Sequence, residues 1–78
     1  MVDFQKTLDT RNENCPIPVM KAKKELRAMS SGDILYVIAT DPACVQDITM
    51  LLKSLGHELV DSSESGGEYH FYIRKVEK

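Results

Sequence analysis

Two prolines separated by one residue, in Cys15-Pro16-Ile17-Pro18, leave this chain fewer backbone options than any other stretch of it. Proline has a fixed φ and no N–H, which excludes it from helix interiors and central strands but suits the first turn of a helix. Pro16 is therefore expected at the first helical position and Cys15 at the N-cap. A helix start leaves four N–H groups without partners, and Pro16 and Pro18 supply none of them. Cys15 and Ile17 remain, so the Ile17 N–H is the expected donor to the Cys15 sulfur. The positive end of the helix dipole falls at the same place. Such a setting favours thiolate and lowers a cysteine pKa from ~8.5 to roughly 3.5–7.5. With so few N–H groups the turn is no phosphate cradle. The competing reading is a buried cysteine packed as a small hydrophobe. The polar run from Asp9 to Asn14 favours an exposed sulfur instead.

A chain of 78 residues is expected to form one domain, 1–78, with a modest core. Two cysteines do not make a disulfide scaffold. The opening Met1-Val2-Asp3-Phe4 lacks the charged-then-apolar pattern of a leader, so a reducing cytoplasm is expected. No apolar run approaches the ~20 residues of a membrane span. Ten basic side chains against twelve acidic ones give no global pull toward nucleic acid.

Period and punctuation predict the order β-α-β-α-β-β. A short strand over Phe4 to Asp9 leads into a polar connection, Thr10 to Asn14, where Asn12 is suited to a positive φ. The first helix runs from about Pro16 to Met29, with Val19, Ala22, Leu26 and Met29 on one face. Ile34 to Ala39 is continuously apolar and reads as a central strand. Asp41-Pro42 repeats the helix-start pattern, with Asp41 as N-cap, and Val45, Ile48, Leu51, Leu52 and Leu55 form the stripe of a second helix that Gly56 ends. A third strand over about His57 to Ser62, a loop over Ser63 to Gly67 and a strand over Glu68 to Val76 complete the chain. In the last strand Tyr69, Phe71 and Ile73 face one way, and His70, Tyr72 and Arg74 the other. Two right-handed crossovers make a two-layer α/β (α+β) sandwich, a four-stranded mixed sheet with both helices on one face. Cys15 and Cys44 then lie at the same end.

Cys44 is expected to be a packing cysteine, with a second reactive or resolving thiol as the alternative. Helix axes ~8–10 Å apart make a ready-made bridge to Cys15 marginal. Cys15, Cys44, His57 and His70 lack the short pair spacing of zinc sites, and His57 falls at the opposite end, so no metal and no cofactor are expected. Asp9 and Asp47 show no evident partner in the sequence, and a solvated or structural carboxylate is the reading for both. Lys21, Lys23, Lys24 and Arg27 lie on the helix that follows Cys15. They form a solvated face or, functionally, a docking patch for an acidic partner, with Lys21, Lys24 and Arg27 as its candidates.

Leu8-Asp9, Cys15-Pro16-Ile17-Pro18-Val19, Asp41-Pro42-Ala43, Asp47-Ile48, Gly56-His57-Glu58-Leu59 and the aromatic last strand together resemble the TusA/SirA/YedF sulfur-carrier family. The likeness spans nearly the whole chain. It implies that Cys15 accepts sulfane sulfur as a persulfide and passes it on, supported by Pro16, Ile17, Pro18 and Asp41. The chain would be a monomeric sulfurtransferase-type carrier rather than a stand-alone enzyme. Its donor would be a cysteine desulfurase or rhodanese-like protein, and its acceptor a downstream relay protein leading to tRNA 2-thiolation or a related sulfur pathway. The family commonly has glycine where Asn12 stands, and Cys44 is not part of its signature. A carrier also needs what the residues alone predict, a nucleophilic sulfur that a second protein can reach. Two other readings stay open. One is a non-catalytic regulatory or RNA/protein-interaction module using His70, Tyr72 and Arg74; the other is a thiol-redox protein cycling a Cys15–Cys44 bridge.

Overall fold

The structure, a computed structural model, describes residues 3–76. Met1 and Val2, half of the stretch read above for a leader, lie outside the described residues. Six elements follow in the expected order: β1 (Lys6–Thr10), α1 (Ile17–Ala28), β2 (Ile34–Ala39), α2 (Ala43–Leu55), β3 (Glu58–Ser65) and β4 (Glu68–Arg74). They form a four-stranded mixed sheet ordered β1-β2-β4-β3. β1 runs parallel to β2, while β4 is antiparallel to both β2 and β3.

β2 is central because its side chains suit both faces. Leu35, Val37 and Ala39 are fully buried, and Ile34, Tyr36 and Ile38 on the other face are partly covered. Against the first set pack Ala22 and Leu26 of α1 and Cys44, Ile48 and Leu52 of α2, with Phe71 and Ile73 of β4 closing the core. Spacings of four residues put each helical set on one stripe, so both helices cover the same face of the sheet. The open face carries a row of rings: Tyr36 stacks on Tyr72 with centroids 4.7 Å apart, and Phe4 leans on Tyr36 at 5.1 Å.

Several boundaries move from their expected places. β1 begins at Lys6 rather than Phe4, whose ring has gone to the open face instead. β3 extends to Ser65, because only Gly66 and Gly67 make the turn, at φ 59° and 83°. Two residues at positive φ give a hairpin turn whose twist matches its strands, so pairing continues up to Ser65↔Glu68. β4 ends at Arg74, after which Lys75 exchanges backbone hydrogen bonds with Gly32 and Asp33. Gly56 ends α2 at φ 78°, its N–H donating to the Leu52 carbonyl as a left-handed C-cap.

Candidate functional site

Both helices start at the edge of the sheet where β1 and β2 end. The loop between β1 and α1 is held there by a short series of bonds. Buried Thr10 donates its hydroxyl to the Ile38 carbonyl at 2.6 Å, Glu13 N–H returns to the Thr10 carbonyl, and Asn12 N–H donates to Thr40 Oγ1 at 2.9 Å. Asn12 sits at φ 67°, the left-handed conformation expected of it. The chain is thereby turned to deliver Cys15 beside the start of α2.

The mount of Cys15 differs from the expected one. α1 begins at Ile17, with Pro16 as the capping position at φ −98°, ψ 14°, so Cys15 stands one residue before the cap rather than on it. Pro18, not Pro16, occupies the first turn proper, and it is buried against the core. A cis peptide bond joins Cys15 to Pro16. The Ile17 N–H donates to the Asn14 carbonyl at 3.0 Å, so it does not serve the sulfur. A backbone acceptor inside the turn has displaced the weaker sulfur acceptor.

Asp41 and Asp47 supply the contacts instead. Pro42 is helical at φ −58°, ψ −28°, which makes Asp41 the effective cap of α2: its Oδ1 accepts the Ala43 N–H at 3.0 Å. Its other oxygen accepts the Cys15 N–H at 2.9 Å. These two bonds hold the Asp41 carboxyl below the usual range. The Cys15 thiol donates to Asp47 Oδ2 at 2.8 Å. This carboxylate, left without a partner in the sequence, is the side-chain neighbour of Cys15 that sequence reasoning missed. Its signal was positional, since a residue on the second turn of α2 faces whatever α1's start presents.

The expected lowering of the Cys15 pKa is reversed. Accepting the thiol proton, Asp47 favours the protonated sulfur; burial adds to that, and so does the neighbouring Cys44 thiol, together pushing Cys15 up to about 12. A carboxylate in contact outweighs the partial positive charge of a helix start two residues away. Cys15 is half-buried and Cys44 fully buried, both as free thiols. Burial likewise pushes the Cys44 thiol up.

The other candidates are spread around the molecule. Lys21 pairs with Glu13 at 2.8 Å, while Lys24 and Arg27 are exposed on α1. Ile17 and Met20, near Cys15, and Met50 on α2 are exposed apolar side chains. His57 accepts the Val76 N–H through Nδ1 at 3.0 Å, at the end away from the cysteines. On the open face His70 shares a hydrogen bond with Tyr36 Oη and pairs with Glu68, and Arg74 pairs with Glu58. A polar cleft of about 420 Å³, lined by Asp9, Arg11, Asn12, Thr40 and Glu68, opens beside the loop. Its arginine is already held by Asp9 and Glu68. Among the described residues no three His, Cys, Asp or Glu side chains group so as to hold a metal. Among them, too, no helix is long and apolar enough to cross a membrane.

A small two-layer domain that presents one reachable cysteine on a proline-bounded turn belongs to the class of thiol-bearing α/β sandwiches. The chain is a member of the family described as Sulfurtransferase TusA, which matches residues 6–75. It is 52% identical to a protein of Allochromatium vinosum named "Sulfur carrier protein TusA" over 75 residues, 96% of this chain and 99% of that one. A protein of the same name from Pseudomonas entomophila is 46% identical over 69 residues, 88% of this chain and 86% of that one. A solved SirA-like protein from Desulfitobacterium hafniense shares the fold at a TM-score of 0.83 and 24% identity, covering 94% of this chain and all of that one.

Proposed function

We propose that this chain is a sulfur carrier that takes up sulfane sulfur as a persulfide on Cys15 and hands it to a downstream relay protein. The observation that carries the reading is the placement of Cys15. Cys15 is half-buried on a bonded loop, with its thiol donating to one carboxylate, Asp47. Family membership and the names of the relatives support the role. The donor is a cysteine desulfurase or a rhodanese-like protein, and the setting a cytoplasmic pathway such as tRNA 2-thiolation.

In the uptake step the Cys15 thiol loses its proton to water, against the opposition of Asp47, and the thiolate attacks the terminal sulfur of the donor's persulfide. The donor's S–S bond breaks, its cysteine leaves as thiolate, and Cys15 holds the sulfur. Hand-over repeats the exchange, with the acceptor's thiolate attacking and Cys15 leaving. Asp41 acts as a positioning residue, tying the Cys15 backbone to the start of α2. Pro16, Ile17 and Pro18 shape the turn that presents the sulfur, and exposed Lys24 and Arg27, with Lys21, offer a basic surface to an acidic partner.

Incubation with a cysteine desulfurase and cysteine, followed by intact mass spectrometry, tests the reading. Wild type and Cys44→Ala are expected to gain one sulfur atom, and Cys15→Ala none. A gain that survives Cys15→Ala, or no gain in wild type with any persulfide donor, overturns it.

A further inference from the structure

Packing accounts for the burial of Cys44 but not for what surrounds it. Asp41 binds both cysteines, accepting the Cys15 N–H through Oδ2 at 2.9 Å and the Cys44 N–H through its main-chain oxygen at 3.0 Å. Asp47, three residues after Cys44 on the same helix, accepts the Cys15 thiol at 2.8 Å and so draws that sulfur onto the first turns of α2. Cys15 packs against the core cluster that contains Cys44. A fully buried thiol is thus the neighbour of the one thiol a partner protein can reach among the described residues.

We propose that Cys44 is a resolving thiol that discharges an unclaimed persulfide from Cys15 as hydrosulfide. The inference rests on the reading of Cys15 as a persulfide carrier. The Cys44 sulfur attacks Cys15 Sγ, the inner sulfur of the persulfide. The bond between Sγ and the terminal sulfur breaks, its electron pair leaves with the terminal sulfur, and the Cys44 proton goes to the same atom. Persulfide anion and thiol become a Cys15–Cys44 disulfide and HS⁻. The terminal sulfur is reduced to sulfide as the two cysteine sulfurs are oxidised to the bridge, so the step draws on no outside oxidant. A dithiol reductant then restores both thiols.

Burial holds the Cys44 thiol in its protonated form. Exchange requires thiolate, so the internal step is slow beside hand-over to the reactive thiolate of a docked acceptor. A sulfur that is promptly claimed passes on; one left waiting is released, and the carrier is closed to reloading until reduced.

The test loads the chain with inorganic polysulfide, removes excess reagent by gel filtration and follows mass and free sulfide without reductant. Wild type is expected to take up one sulfur, then lose it with release of sulfide, ending two hydrogens lighter than the reduced chain, with a peptide linking Cys15 and Cys44. Cys44→Ala is expected to load and keep its sulfur, with sulfide release lost; Cys44→Ser, nearer in volume, guards against a packing defect. If wild type holds its persulfide as long as both variants, or releases sulfide with no internal bridge, the role of Cys44 falls and the carrier reading stands. If neither wild type nor variants take up sulfur, both fall.

Discussion

Asp47 shows how one side chain sets the chemistry of another. Its carboxylate accepts the Cys15 thiol, and forming a thiolate there would set two negative charges in contact. Replacing it with a neutral amide removes that opposition. For Asp47→Asn the pKa of Cys15 is therefore expected to fall from about 12, so that alkylation becomes faster near neutral pH. Iodoacetamide modification of Cys15 followed by mass across a pH series checks this; an unshifted midpoint rules out Asp47 as the cause. The same residue marks a limit of local reading. The Cys-Pro-Ile-Pro pattern made the sulfur visible and located a helix start beside it, but the sequence has no way to say which carboxylate, 32 positions away, meets it. The predicted Ile17 N–H partner failed for a related reason. Register at a helix start is decided by competition among nearby acceptors, and the Asn14 carbonyl wins over sulfur.

At the scale of elements, Asp41 joins two helix starts. It caps α2 through Ala43 and anchors the loop before α1 through Cys15, so its loss loosens both. Because its folded pKa lies below the ordinary value of 3.8, the ionised form is the one the fold favours. The associated stability is present above the unfolded pKa and is lost as pH falls through the folded one. Asp41→Ala is expected to lower Tm at neutral pH, with the gap to wild type narrowing as pH drops below the ordinary carboxylate value. Thermal melts across that range measure it, and a gap that stays constant with pH contradicts the linkage. Element order and helix faces were legible because apolar spacing and Pro, Asp and Gly punctuation are local signals. The end of β3 was not: Ser63 to Ser65 look like loop residues, and only pairing with His70, Tyr69 and Glu68 of β4 makes them strand.

Across the whole molecule, one layer of side chains between sheet and helices carries the stability. Ile48 is fully buried at the centre of that layer, whereas Met50, two residues on, is 59% exposed. Ile48→Ala removes buried methyl groups and leaves a cavity, at an expected cost of ~2–5 kcal/mol. For a domain of this length, with a total stability of about 4–12 kcal/mol, that is a large share. Met50→Ala is expected to change stability by less than about 0.5 kcal/mol. Urea denaturation with unchanged m-values measures both, and equal losses would contradict a single helix-to-sheet core.

Periodicity, proline placement and glycine position were enough to settle the order of elements, to find most of the sheet-facing residues and to single out Cys15 as a candidate thiol. They suffice because each is a short-range constraint on φ, ψ or side-chain direction. The protonation state of Cys15, its tether to Asp41 and its nearness to Cys44 were decided only when two helix starts met at one sheet edge. Those are contacts between residues distant in the chain, and electrostatics acts through space rather than along sequence.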